Sequence, residues 1–182
     1  MPLNVSAATP FERQNLLSEF QRLTAEASPW RDPVRLEQLY INLQALEDDG
    51  LTPDHYDIPL VAQQILHLVD TEAVYPPAPD EVALSAAYLN ALMDLQLGRT
   101  HGSGVENYLN YRNQMPDPHA QILDLAIEGL KDIDQAFSQA RPDTLTYTNL
   151  RKAYQQLRKQ TAEQPLYSLF TRISLLCARA CR

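Results

Sequence analysis

Apolar residues recur at helical spacing along most of this chain. At four points a side chain that can cap a helix is followed directly by proline, and apolar residues then return every three or four positions. The four pairs are Thr9-Pro10, Asp32-Pro33, Thr52-Pro53 and Asp117-Pro118. Proline suits the first position of a helix because the N–H that it lacks has no intrahelical partner there. The pairs therefore predict four helix starts.

The stripes after these starts predict the extent and the packing face of each helix. The first stripe is Leu16, Phe20, Leu23 and Ala27, in a helix expected to stop before Pro29. The second is Leu36, Leu39, Tyr40, Leu43 and Leu46, ending at Asp48-Asp49-Gly50. Further segments are a short turn from Thr52, a helix with Val61, Ile65, Leu68 and Val69, and helices over roughly 118–128, 132–140 and 144–162. The last of these carries Tyr147, Leu150, Tyr154 and Leu157 on one face.

The stretch from Val82 to Leu97 is apolar almost all round, with Asp80 as its expected cap and a proline-rich connector before it. A helix without a polar face belongs in the middle of a bundle. No run alternates apolar and polar residues for long enough to predict a strand. We therefore predict an all-α, bundle-like fold in which residues 82–97 form the central helix. Residues 1–163 are expected to form the helical domain, and 164–182 a basic tail that is also helical.

Charge is distributed unevenly along the chain, whose net charge is −8. Residues 1–150 hold 8 Lys and Arg against 22 Asp and Glu, whereas residues 151–182 hold 7 against 1. An acidic body does not suit nucleic acid, because phosphate binding needs clustered Lys and Arg. The basic residues of this tail either contact an anionic surface or, as we favour, form the solvated face of the last helices, which then pack near the acidic body. No apolar run is long enough to predict a membrane-spanning helix.

Residues with catalytic or metal-binding chemistry are scattered. The four histidines, His55, His67, His101 and His119, match no metal-ligand spacing. Cys177 and Cys181 form neither a disulfide framework nor a zinc site by themselves. Acidic pairs such as Asp48-Asp49 and Asp80-Glu81 sit at helix ends, where carboxylates complement the helix dipole or face water. We therefore expect no enzyme active site, no metal site and no cofactor in this chain.

The most ligand-like polar cluster follows the glycine-rich loop 98–104. It is made of side chains suited to a groove for sugars or peptides. The cluster is Asn107, Tyr108, Asn110, Tyr111 and Arg112, and Arg99 of the loop itself is a further candidate binding residue. The alternative is structural: Gly98 ends the central helix, the other glycines form a turn, and the tyrosines pack in the bundle. If the chain has a binding groove, we expect it beside residues 98–112.

The start of the chain carries no intact export signal that we can identify, since no Lys or Arg precedes Arg13 and no apolar core follows. Val5-Ser6-Ala7 is nevertheless similar to the small-residue end of such a signal. It suggests that the precursor began further upstream.

Several motifs, in order, resemble one known family. They are Trp30, Leu36-x-x-Leu39, Leu43-x-x-Leu46, Asp49-Gly50-Leu51-Thr52-Pro53-Asp54-His55-Tyr56, Leu84-Ser85-Ala86-Ala87-Tyr88-Leu89, Leu97-Gly98-Arg99, Ala140-Arg141-Pro142 and Tyr147-x-x-Leu150-x-x-Ala153-Tyr154. Over residues 25–163 the chain is similar to the N-terminal scaffold domain of large, multidomain L,D-transpeptidases of Gram-negative bacteria. The resemblance implies a periplasmic helical domain that accompanies a peptidoglycan-binding module and a β-rich catalytic domain with a cysteine nucleophile.

The chain departs from this family where the chemistry resides. Ser174-Leu175-Leu176-Cys177-Ala178-Arg179 only superficially matches the family's Ser-x-Gly-Cys-x-Arg core, because Leu176 replaces the glycine. The last upstream histidine is His119, and too few residues follow Pro165 to form a catalytic domain. We expect Cys177 to be a small apolar residue on a terminal helix.

Three functional hypotheses follow. The first is a non-catalytic scaffold domain of the cell envelope that contacts peptidoglycan or a peptidoglycan-processing enzyme. The second is a truncated part of an L,D-transpeptidase whose catalytic domain lies elsewhere. The third is a cytoplasmic helical adaptor, which the missing export signal favours.

Overall fold

The computed structural model describes residues 10–69, 78–98 and 118–163. Seven α-helices lie in these residues. They are α1 (Pro10–Thr24), α2 (Pro33–Ala45), α3 (Ile58–Val69), α4 (Glu81–Leu97), α5 (Pro118–Gly129), α6 (Ile133–Ala140) and α7 (Leu145–Glu163). Short 3-10 helices cover Pro29–Arg31, Leu46–Asp49 and Pro53–Tyr56. The described residues contain no strand, and the predicted all-α fold is confirmed.

Helix starts follow the predicted proline positions. α1, α2 and α5 begin at Pro10, Pro33 and Pro118, and Pro53 opens a 3-10 helix. Aspartates cap three of the helices, as their carboxylates accept backbone N–H groups that have no intrahelical partner. The donors are Val34 to Asp32, Ala83 to Asp80 and Gln135 to Asp132, each at 3.0 Å.

α4 is the central helix that the apolar run predicts. It packs against α1, α5 and α6, and its buried residues point in every direction around its axis. Tyr88, at its middle, forms an aromatic cluster with Phe20 of α1, Trp30 and Phe137 of α6, with ring centroids 6.2, 5.5 and 6.0 Å away. Burial raises the pKa of the Tyr88 hydroxyl, which donates to the carbonyl of Ala126 at 3.2 Å. The cluster thereby joins α1, α4, α5 and α6.

Gly129, the last residue of α5, allows α4 and α6 to pack closely against the end of that helix. A Cβ atom there would collide with the Cβ of Ala136 and with the Tyr88 hydroxyl oxygen. No side chain fits this position without a shift of the surrounding helices.

The first predicted stripe is only partly correct. Leu16 and Phe20 are buried, but Leu23 is 48% exposed. Leu17 and Thr24 are buried instead, so the face of α1 that packs against the core does not include Leu23. The helix also ends at Thr24, so the expected Ala27 lies beyond it.

Internal contacts divide the chain into two compact units, with the boundary between Asp143 and Thr144. The buried hydrophobic core that the structure describes lies between Leu16 and Ala140, in the first unit. In the second unit the structure describes α7, whose Leu145, Leu150, Tyr154 and Leu157 are 78, 65, 43 and 60% exposed. The predicted division into residues 1–163 and 164–182 remains a prediction.

Candidate functional site

The residues predicted to bind a ligand lie outside the described part of the chain. They are Arg99, Asn107, Tyr108, Tyr111 and Arg112, between Gly98 and Pro118. The structure describes only the entry to this segment, where α4 ends and Gly98 adopts φ of +68°. Cys177 and Cys181 also lie outside the described residues. The binding site beside residues 98–112 therefore stays a prediction.

Within the first unit, the motifs that are widely separated in sequence meet through buried polar contacts. The Trp30 indole N–H donates to the Ser85 hydroxyl at 2.9 Å. Asp49, with a side chain only 1% exposed, accepts from Arg141: Nε lies 3.0 and 3.2 Å from its two oxygens, and the Arg141 terminal nitrogen lies 3.0 Å away. Such paired charge-assisted bonds fix the orientation of both partners. The motif pairs Trp30 with Leu84-Ser85, and Asp49-Gly50 with Ala140-Arg141, are thus each joined directly.

A third polar contact is centred on Asp94 of α4. Asp94 is buried, and its carboxylate accepts from the Arg13 guanidinium at 2.6 Å and from the Tyr56 hydroxyl at 2.9 Å. Arg13 also donates to the Asn90 side chain at 2.8 Å. The network joins α1, the 3-10 helix at Pro53–Tyr56 and α4. Sequence reasoning missed it, although Asp94 is the single charged residue in the run 82–97 and was a signal that a partner was required.

A small cleft lies between the end of α1 and the start of α4. Its volume is about 170 Å³, and it is lined by Gln21, Thr24, Ala25, Ser28, Pro29, Glu81 and Ser85. Burial raises the pKa of the Glu81 carboxyl, although the Trp30 backbone N–H and the Arg31 guanidinium act in the opposite direction. The Glu81 Oε1 atom is buried and has no hydrogen-bond partner in the described structure. The cleft has room for only a few atoms of a ligand, since binding pockets typically enclose about 300–1,000 Å³.

Metal-binding chemistry is not assembled in the described ranges. No group of three or more His, Cys, Asp and Glu residues there has the arrangement to hold a metal ion. Several acidic side chains at or near helix ends have structural partners: Asp49 pairs with Arg141, Asp80 and Asp132 cap helices, and Asp134 accepts from the amides of Asn42 and Gln38. None of the described helices is long and apolar enough to cross a membrane.

These features define an all-α protein in which the motifs at Trp30, Asp49, Ser85 and Arg141 hold helices together. Comparison with protein-family models matches residues 15–153 to the family described as "Scaffold domain". The chain belongs to this family, and the match confirms the predicted scaffold domain and is consistent with its resemblance to that of L,D-transpeptidases. Neither the curated proteins nor the solved structures gave a match.

Proposed function

We propose that this chain is a non-catalytic scaffold domain of the bacterial cell envelope that acts by binding a peptidoglycan-processing enzyme. The observation that carries the proposal is the family match over residues 15–153, which spans the described hydrophobic core. The resemblance to the scaffold domain of L,D-transpeptidases supplies the envelope and the enzyme class. Peptidoglycan itself is the alternative ligand.

The surface of the described residues favours a protein over a glycan as the partner. The cleft beside Glu81 is too small to bury several sugar rings. By contrast, α7 exposes Leu150, Tyr154 and Leu157, and exposed apolar side chains that cluster are typical of protein interfaces. A glycan site is expected only in the segment 98–112, around Tyr111 and Arg112.

A non-catalytic role is supported by how the polar side chains of the body are used. Buried Asp49 and Asp94 are each paired with an arginine, and buried Ser85 accepts from Trp30. Cys177 lacks the glycine and the nearby histidine that accompany the family's nucleophile, and a cysteine without such a setting is a poor nucleophile.

Location and partner class are tested together. The native protein is localised by fractionation, cross-linked in intact cells and incubated with purified peptidoglycan sacculi. We expect the protein in the periplasm, cross-linked to a peptidoglycan-processing enzyme. Recovery in the cytoplasm without an envelope partner would instead support the helical adaptor.

Peptidoglycan binding, the alternative, is tested with a separate variant of this chain. Replacement of Tyr111 and Arg112 by alanine should abolish any retention on sacculi and leave the circular dichroism spectrum unchanged. If the protein is retained equally with and without these side chains, the predicted site beside 98–112 is wrong.

A further inference from the structure

The cleft beside Glu81 is built from two parts of the chain, the end of α1 with the turn that follows it and the first two turns of α4. The first part supplies Thr24, Ala25 and Pro29 among others, and the second supplies Glu81 and Ser85. The volume of the cleft is about 170 Å³, and a cavity of roughly 150 Å³ can hold benzene. The cleft therefore has room for one small organic group.

The polar side chains of this cleft offer hydrogen-bond acceptors. The Oε1 atom of Glu81 is buried and has no hydrogen-bond partner in the described structure. The Thr24 hydroxyl, which is buried, donates to the carbonyl of Phe20 at 2.8 Å. The buried Ser85 hydroxyl accepts from the Trp30 indole at 2.9 Å. Each hydroxyl oxygen keeps a lone pair, and a buried acceptor without a donor costs free energy, so an occupant with several N–H groups is favoured here.

The charge of the cleft favours a cation. Among the described residues that line it, Glu81 is the single ionisable one. Burial is the largest influence on the pKa of its carboxyl and raises it, although the Trp30 backbone N–H and the Arg31 guanidinium act in the opposite direction. These neighbours therefore compensate the carboxylate only in part, and a cation in the cleft would stabilise it further. An anion does not fit, because the carboxylate would repel it.

The shape and the walls of the cleft favour an ammonium over a guanidinium. A guanidinium is planar and pairs best with a carboxylate that accepts from it through both oxygens. At Glu81 the Trp30 backbone N–H already donates to the carboxylate. An ammonium is compact, and its three donors can turn toward separate acceptors. Ala25 and Pro29 have no polar side-chain atoms, so they can cover the methylene groups that carry the ammonium.

We propose that the cleft beside Glu81 binds a primary ammonium group on a short alkyl chain, with Glu81 as its counter-ion and Thr24 and Ser85 as further acceptors. The terminal torsion of a glutamate is broad, so the carboxyl group can turn toward a donor that enters the cleft. A lysine side chain of another protein and a free amine both carry this group. The inference goes beyond the proposed function and does not depend on it, because it assigns a ligand chemistry wherever the protein is found.

The test uses the full chain and the signal of Trp30, the one tryptophan, whose indole N–H bonds to Ser85 in the cleft wall. Its cross-peak is followed in a proton–nitrogen correlation spectrum during titration with n-butylammonium chloride. We expect a saturable shift with a Kd of about 10 mM, as suits so small a ligand. Sodium butyrate reverses the charge and butyltrimethylammonium chloride lacks N–H donors, so neither should give a saturable shift at equal ionic strength. Equal responses to all three salts, or none to n-butylammonium, overturn the proposal.

Two kinds of variant make the test specific to the cleft. Glu81→Gln should weaken binding of n-butylammonium by about ten-fold or more. Glu26→Gln removes the same charge from an exposed residue outside the cleft lining and should leave the Kd unchanged. Ala25→Leu places a larger side chain at an exposed position of the wall, and should weaken binding with an unchanged circular dichroism spectrum. Equal weakening by both glutamate variants, or native affinity in Ala25→Leu, overturns the assignment of the site.

The source of the ammonium group is tested with a second probe, N-acetyl-lysine methylamide, which presents a lysine side chain as a protein does. Binding of this probe as tightly as n-butylammonium supports a lysine of another protein as the occupant. Binding of n-butylammonium alone supports a free amine. Both results support the proposed ligand chemistry, whereas binding of neither probe overturns it. Failure of the envelope cross-linking with success of these titrations would reject only the proposed cellular role.

Discussion

Asp94 lies within the core, and the free energy of its carboxylate there depends on its partners. Its side chain is 4% exposed, whereas that of Arg13 is 25% exposed. The two sides of the ion pair are therefore unequal. Arg13 can reach water if Asp94 is removed, but the carboxylate of Asp94 stays buried if Arg13 is removed. The expensive defect is an unpaired buried charge rather than the loss of the pair itself.

We therefore expect Arg13→Met to lower the free energy of unfolding by about 3 kcal/mol, the order of cost of leaving a buried charge without its partner. The same substitution should cost clearly less in a chain that also carries Asp94→Asn, because the buried group is then neutral. Urea denaturation of the native chain, the two single variants and the double variant gives the coupling. If Arg13→Met costs the same in both backgrounds, the charge of Asp94 is not what Arg13 compensates.

Glu81 carries a second, partly buried carboxyl, and its contribution to the free energy of unfolding depends on pH. Burial raises the pKa of its carboxyl above the ordinary value of 4.5. A carboxyl with a higher pKa in the folded state binds its proton more tightly there, so the free energy of unfolding decreases as pH rises from the ordinary value through the raised one. Glu81→Gln removes this loss.

Urea denaturation over about pH 4 to 8 should therefore show the difference in stability, variant minus native chain, increasing with pH and then levelling off. Well below pH 4.5 the native side chain is protonated in both the folded and the unfolded state, so this contribution vanishes there. A difference that does not change with pH would mean that the burial of Glu81 has no electrostatic cost.

At the scale of the element, aspartate caps decide where helices begin. Asp132 precedes α6, the shortest of the described α-helices, and accepts the backbone N–H of Gln135 at 3.0 Å. α6 contributes Phe137 to the aromatic cluster, so its register matters to the core. We expect Asp132→Ala to lower the free energy of unfolding by about 1 kcal/mol and Asp132→Asn to retain most of the stability. Thermal denaturation of both variants distinguishes the loss of the cap from the loss of the charge. Both variants lose the charge, so equal destabilisation by Asn and Ala would indicate a charge effect.

Helix positions could be predicted from the sequence because their signals are local. The Asp-Pro and Thr-Pro pairs mark starts within a few residues, and the unbroken apolar run 82–97 can be satisfied only by burial on all sides. The contacts that position these helices are not local. Asp94 meets Arg13 from 81 residues away and Tyr56 from 38 residues away, and no spacing rule connects them.

The apolar row of α7 shows the same limit. The helical spacing of this row, which includes Leu150 and Leu157, is visible in the sequence, but it is the same whether the row is buried or exposed. Only the structure shows that Leu150 and Leu157 are 65% and 60% exposed. Most of the motifs that resemble the family, such as those at Trp30, Leu36-x-x-Leu39 and Leu84–Leu89, carry core contacts, and for that reason their order does not identify a ligand.

At the scale of the whole molecule, the two compact units have different sources of stability. The first is held by a buried core that includes Trp30, the one tryptophan of the chain. α7, in the second, exposes most of its large apolar side chains, so its helix depends more on local propensity. Unfolding should then proceed in two steps.

Trp30 fluorescence reports the first unit, whereas circular dichroism reports all helices. In a urea titration we expect the dichroism to begin its decrease at lower urea than the fluorescence. Ala153→Gly, at an exposed interior position of α7, weakens that helix by about 1 kcal/mol and should move the early dichroism change alone. Leu92→Ala, in the core, should move the fluorescence transition instead. Coincident curves that both variants shift together would mean that the chain unfolds as one cooperative unit, and that α7 owes its stability to the core.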